Sequence, residues 1–506
     1  MTECLLGIDI GTSGCKALLA GLDGTVLASR TETYPLSQPR PGWSEQDPAD
    51  WVDATRRAVG ALQAERPGLV VKAIGLSGQM HGLTPLDAAH RVLRPAILWN
   101  DQRNGPECAE ATERAGGEEA LLALTNNRML VGYTGGKILW MRRHEPELFT
   151  RLAHVLNPKD YLRLVLTGER ASEVSDASGT GLFDTRARRW SDELLRRLDL
   201  SPDLLPPVHE SAEITGRLSA SGAALLGLPE GVPVVGGGGD AVIQTLGSGV
   251  IAPGEIQTTI GTAGIVACAL DRPSDNPGGR LQVFCNVDPA KWHCMGVSLN
   301  AGGAMSWFRG LAADFAGGDA PSFDALVARA EASPAGARGL LFLPYLFGER
   351  CPHPDPAARG AFVGLTARHG AADLTRAVME GVAHGLRDIF AVMEEAGIAP
   401  GIVKASGGGA RSRLWRQMQA DLFGCDVVTT EGAAEGGAYG AALLAGVGIG
   451  VWPDAATAAT VCRPVTRETP DPEAGAVLGA ANRIYRTLHS ALAQASADLG
   501  HPRLDP

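Results

Sequence analysis

Four consecutive glycines, Gly236–Gly239, run into Asp240 at the end of an apolar stretch that begins at Val232. Glycines at a strand end leave open space and no side chain to fill it. The run delivers one carboxylate to that space, where it can take a proton from a hydroxyl within hydrogen-bond reach. The competing reading is a flexible loop with a solvated Asp, and the strand leading in argues against it. A second carboxylate, Asp9, sits beside a glycine turn in Asp9-Ile10-Gly11-Thr12-Ser13-Gly14-Cys15-Lys16. Backbone N–H groups of such a turn approach an anion with no Cβ in the way. Asp9 beside it suits magnesium, which binds through one or two carboxylates plus phosphates and waters. Alone, this stretch reads as readily as a plain hairpin turn. A near copy, Ile260-Gly261-Thr262-Ala263-Gly264, changes that. Both copies lie between β-rich runs, Cys4–Ile10 and Lys16–Leu22 in one case, Glu255–Ile260 and Ile265–Leu270 in the other. Duplication is the better explanation, and two such turns facing each other across a cleft would hold a polyphosphate.

Three further segments carry candidate chemistry. Gly78-Gln79-Met80-His81-Gly82 ends an apolar run, where His81 and Gln79 are suited to hydroxyls and Met80 to an apolar edge. A lone His is more often structural than functional. Leu98-Trp99-Asn100-Asp101 offers an aromatic platform, although a half-buried Trp is usually core. Ser406-Gly407-Gly408-Gly409-Ala410-Arg411-Ser412 joins a strand to a helix, with room for a flat ligand against its glycines and an anion-favouring helix start. It is not GxGxxG, and the P-loop, HExxH, EF-hand and GxSxG patterns are absent.

The elements that must position these residues alternate. Strands are expected over Cys4–Ile10, Lys16–Leu22, Thr25–Glu32, Val70–Leu76, Val232–Gly239 and Ile402–Ser406. Helices fit Pro48–Glu65, Leu374–Ala396 and Glu473–Leu499, the last with Gly500 as its stop, and Val447–Val451 reads as a loop. Alternation of this kind means α/β layers. A chain of 506 residues exceeds one core, so two or three domains are expected, with a crossing near Gly247–Gly254. The net charge of −11 argues against a nucleic-acid footprint. The longest apolar stretch, Ala441–Trp452, is too short and Gly-rich to span a bilayer. No basic leader precedes the first strand, and the nine scattered cysteines never form CxxC, so a reducing, cytoplasmic setting is expected.

Taken together, these motifs resemble the FGGY family of carbohydrate kinases. The likeness is collinear. It runs through Asp9–Lys16, Trp43–Pro48, Gly78–Gly82, Arg94–Asp101, Pro158–Arg163, Ser175–Thr180, Pro344–Arg350, Gly407–Ser412 and Gly436–Leu444. It implies two ribonuclease-H-like domains of the actin-like ATPase fold around a central cleft, divided as residues 1–247 and 248–506. It implies phosphoryl transfer from ATP, with Mg2+, to a small ketose, D-xylulose first. By position, Asp240 matches the catalytic base and Asp9 the carboxylate at the metal and phosphates. Met80 and His81 match the sugar contacts, with Gln79 and Trp99 beside them. Gly11, Thr12, Ser13, Lys16, Gly261 and Thr262 match the phosphate turns, and Gly407, Gly408, Gly409, Ala410 and Arg411 the adenosine site. Ala241 and Ala263 stand where many such kinases carry Asn and Ser. A sister kinase for ribulose, a polyol or an aldonate is the alternative, and a ligand-binding sensor on the same fold is the non-enzymatic one. The expected partners are the sugar and ATP alone, with no nucleic acid and no membrane; a homodimer stays open.

Overall fold

The computed structural model describes residues 2–274 and 276–499. The chain divides into two compact units. One comprises Met1–Ala252, Ala269–Cys294 and Glu435–Arg463; the other comprises Pro253–Cys268, Met295–Ala434 and Pro464–Pro506.

In the first unit, the strand Thr2–Ile10 pairs antiparallel with Gly14–Gly21 and parallel with Leu69–Gly78. Gly14–Gly21 carries Val26–Thr33 at its outer edge. Leu69–Gly78 is flanked in turn by Pro233–Val235 and by the two-residue strand Gly238–Gly239. The period of two sends Leu6, Ile8 and Ile10 to one face, where they meet Trp51, Ala54, Ala58 and Leu62 of the helix Pro48–Glu65. That helix starts where the sequence signals it. Asp47 caps it by accepting from Ala49 N–H at 2.9 Å, and Pro48 takes the first helical position. The opposite face is shaped for the helix Gly437–Gly448, which comes far later in the chain. A Cβ on Gly7 would fall 1.9 Å from Ala438 O, and one on Gly75 1.9 Å from Ala441 O. Only glycine at both positions admits helix backbone this close to the sheet.

The second unit repeats the plan. Its strand Glu255–Ile260 pairs antiparallel with Gly264–Leu270 and parallel with Ile402–Ser406. Asp426–Thr430 and Pro464–Glu468 extend the sheet. The equivalence reaches single residues. Asp9 pairs across to Ser77 in the first unit, and Thr259 to Ser406 in the second. The long helix Ala371–Glu395 and the helix Arg413–Phe423 cover this sheet through buried Met379, Leu386, Phe390, Trp415 and Met418. The final helix spans Pro472–Leu499; its expected stop at Gly500 lies outside the described residues. The segment expected as a loop at Val447–Val451 is helical as far as Gly448. Among the described residues no helix is long and apolar enough to cross a membrane.

Candidate active site

Three strand ends converge in the first unit. Ser77 lies in register with Asp9 on one side and Gly238 on the other. Asp9 and Asp240 therefore emerge at the same edge of the sheet. Ser77 Oγ donates to Asp9 Oδ1 at 2.6 Å. Burial pushes the Asp9 carboxyl above its ordinary value, and the Ser77 bond and the Lys16 charge oppose that. A Cβ on Gly437 would lie 3.0 Å from Asp9 Cγ and 2.4 Å from Ser77 Oγ, so the start of the helix Gly437–Gly448 closes over this carboxylate. Asp240 is the first residue of the helix Asp240–Gly247. Burial, then the charge of Asp9, lift its carboxyl to about 7. The N–H of Ala241 donates to Asp240 Oδ1 at 2.7 Å and works the other way, as does the Met80 backbone. A carboxyl poised near neutral pH is what a general base requires.

Met80 is 2% exposed and packs onto the glycine strand, where a Cβ on Gly239 would meet its Sδ at 2.7 Å. His81 adopts a left-handed backbone, φ 68°. Three contacts hold it there. Its ring stacks on Tyr133 with centroids 4.4 Å apart. Nδ1 faces the Gly179 carbonyl, which makes Nδ1 the protonated nitrogen. Lys137 Nζ donates to His81 O at 2.7 Å. Burial pushes the Lys137 amine down to about 7.

The first glycine turn is braced from below. Gly11 N–H donates to Gly14 O at 3.0 Å. Trp99 Nε1 donates to Thr12 Oγ1 at 2.9 Å, and Thr12 Oγ1 faces Gln79 Oε1 at 3.4 Å. Gln46 Nε2 donates to Thr12 O at 2.7 Å, while Gln79 Nε2 donates to Gln46 Oε1 at 3.0 Å. Gln79 and Trp99, read from the sequence as sugar contacts, thus direct their polar atoms at the turn. Ser13 is exposed at its tip, and Lys16 pairs with Glu435 at 3.3 Å. Gln46, Ser77 and Gly437 act at this site through partners distant in the chain, so the local sequence does not state what each of them touches.

In the second unit a cavity of about 780 Å³ is lined by Gly261, Thr262, Gly408, Gly409 and Arg411. The duplicated turn and the Gly407–Arg411 segment therefore share one hollow. The helix Gly302–Ala316 backs the turn: Gly302 N–H donates to Gly261 O at 2.7 Å and Gly303 N–H to Thr262 O at 3.1 Å. Gly407 takes φ 77°, and a Cβ there would fall 2.7 Å from Ile260 O. Ala410 is buried, and its carbonyl accepts from Arg416 at 2.6 Å. Met305, Phe323 and Glu331, from two helices the motifs did not flag, complete the walls. Among the described residues no three His, Cys, Asp or Glu side chains are grouped to hold a metal by themselves.

The comparisons with known proteins bear on the family and the fold. The N-terminal domain model of the FGGY family of carbohydrate kinases matches residues 4–247, and its C-terminal domain model matches residues 257–449. A xylulose kinase of Escherichia coli K12 is 44% identical over 440 residues, covering 87% of this chain and 89% of the relative. A gluconokinase of Bacillus subtilis is 32% identical over 454 residues, covering 88% of this chain and 87% of the relative. Among solved structures, a xylulose kinase from Brucella ovis superposes with a TM-score of 0.89 at 38% identity, covering 97% of this chain and all of that one. A ligand-bound xylulose kinase from Lactobacillus acidophilus gives a TM-score of 0.92 at 27% identity over 98% of this chain and all of that one. With both domain models matched in order and the fold shared throughout, the chain belongs to the FGGY family of carbohydrate kinases and is a sugar kinase.

Proposed function

We propose that this kinase phosphorylates D-xylulose at its 5-hydroxyl, with Asp240 as general base. The observation that carries the assignment of the base is the pair Asp9–Asp240 at one sheet edge, with the Asp240 carboxyl near 7 beside Met80 and His81. The sugar's identity draws on the xylulose kinases that this chain resembles at 44% and 38% identity. Asp240 Oδ accepts the proton of the sugar hydroxyl as its oxygen attacks the γ-phosphorus. The new O–P bond forms while the bond from the γ-phosphorus to the β,γ-bridging oxygen breaks, and ADP leaves with that electron pair. Little covalent work falls to the protein, so positioning and charge dominate.

Met80 gives the sugar an apolar wall, and the fixed ring of His81 gives it a polar edge. The 780 Å³ cavity takes the nucleoside end of ATP, with Gly408 and Gly409 against the flat base and Gly261 and Thr262 toward its phosphates. Asp9 is the residue for Mg2+. It is a poorly solvated carboxylate that gains from a cation, and one carboxylate with phosphates and waters suits this ion. When bound, Mg2+ neutralises triphosphate charge. Product analysis tests the reading: phosphorus–proton correlation should place the phosphate on C5 of xylulose. Phosphate on C1, or ADP release without a sugar phosphate, contradicts it.

A further inference from the structure

Of two segments picked out in the sequence, Pro158–Arg163 and Ser175–Thr180, only the Gly179 carbonyl behind His81 enters the chemistry above. The two segments meet behind the glycine strand that ends in Asp240. Lys159, Arg163, Glu173, Ser175 and Asp176 are each 0% exposed. Glu173 is the hub. Its Oε1 accepts from Ser175 Oγ at 2.9 Å and from Asp176 N–H at 2.8 Å. Its Oε2 accepts from Ser175 N–H at 2.7 Å and from Ser211 Oγ at 2.8 Å. Each serine then holds one glycine of the strand. Gly239 N–H donates to Ser175 Oγ at 3.0 Å, and Gly237 N–H donates to Ser211 O at 2.9 Å. Arg163 donates to Val235 O at 2.8 Å and also to Gly236 O. Lys159 Nζ pairs most closely with Asp160 and lies 3.7 Å from Glu173 and 3.5 Å from Asp176, so its charge is shared among the three carboxylates.

The physical need is plain. Four glycines have the greatest backbone freedom of any such run, and they present no side chain by which packing could order them. A catalytic group has to be held within about 0.5 Å of its working position. Here the order comes through the peptide groups instead, from a carboxylate whose burial is otherwise unfavourable. We propose that Glu173, acting through Ser175 and Ser211, is a positioning residue that sets the Asp240 carboxylate for proton transfer. This rests on the reading of Asp240 as the base.

A double-mutant cycle on the full chain tests it. Ser175→Ala removes the acceptor for Gly239 N–H. It should lower kcat about tenfold, within the range that a misplacement of about 1 Å produces. Its KM for xylulose should stay within about twofold, and the rate loss should nearly vanish in the Asp240→Asn background, as expected for residues acting as a unit. Wild-type kcat in folded Ser175→Ala overturns the proposal. So does the same tenfold loss in both backgrounds, which is what a general loss of structure gives. If Ser175→Ala does not fold, Glu173→Gln, which keeps the shape but turns one acceptor oxygen of the hub into a donor facing donors, is carried through the same cycle with the same criteria. An Asp240→Asn variant that keeps its rate removes the base itself, and this proposal with it. Collapse of Asp240→Asn beside an intact Ser175→Ala refutes the positioning role alone.

Discussion

Replacing Asp240 with Asn should separate activity from stability, in opposite directions. The amide keeps the shape and the acceptor oxygen for Ala241 N–H, 2.7 Å away, but takes no proton. Loss of a general base typically costs ~10²–10⁴ in rate. For stability the sign follows from the raised carboxyl, lifted from 3.8 to about 7 in the folded state. The folded chain then binds this proton more tightly than the unfolded chain does. That contribution is complete below the ordinary carboxyl value and is lost as pH rises through about 7. Above it, the folded state carries a charge that the unfolded chain would solvate, at a cost of up to about 4 kcal/mol. The carboxyl is only half-buried, so water trims this upper figure. Asn removes the charge at every pH. Asp240→Asn should therefore raise the thermal midpoint, and by more at about pH 8.5 than at about pH 5.5. Steady-state kinetics and melting at both pH values are the assay. A variant that keeps more than about a tenth of wild-type kcat, or whose gain in melting temperature is the same at both pH values, refutes the reasoning.

Further outcomes follow from the same geometry. The kcat/KM of the wild-type enzyme for xylulose should fall as pH drops below about 7, the value to which the Asp240 carboxyl is lifted in the free protein, and a flat profile down to about pH 5 would contradict its role. Asp9→Ala should raise the Mg2+ concentration needed for half-maximal rate and lower kcat, with sugar affinity in equilibrium titration little changed; lost sugar affinity with unchanged Mg2+ dependence would remove Asp9 from the metal. Gly302→Ala would set a Cβ 2.5 Å from Gly261 O, so it should raise KM for ATP and leave KM for the sugar alone; an unchanged ATP KM in the folded variant would detach that turn from the nucleotide.

The parts of the site that were legible in the sequence are local in the chain. The duplicated turns, the glycine run into Asp240 and the helix Pro48–Glu65 each carry their signal within a few residues, because turn and cap chemistry is short-range. What the sequence did not carry is long-range. Nothing near Gly437 announces that its missing Cβ makes room for Asp9, 428 positions earlier, and nothing near Gln46 announces its bonds to Thr12 and Gln79. The return of Ala269–Cys294 and Glu435–Arg463 to the first unit is invisible for the same reason. Gln79 and Trp99 read as sugar contacts, but residue type does not reveal where an amide or an indole N–H points, and both bond toward the Thr12 turn. At Val447–Val451 the two glycines argued for a loop. Gly448 instead stays helical, its missing Cβ leaving room for Val235 Cγ1 at 2.4 Å and Ala212 O at 2.6 Å.

The central claim is the acceptor sugar, and one panel tests it most directly. ADP release is measured with D-xylulose, ribulose, glycerol and gluconate, and kcat/KM is compared across them. The site of Met80, His81 and Asp240 predicts D-xylulose as the best substrate, because a buried hydrogen-bonding edge rejects analogues that leave it unpaired. Gluconate, ribulose or glycerol ahead by about tenfold in kcat/KM, a difference worth about 1.4 kcal/mol of transition-state binding, would contradict it.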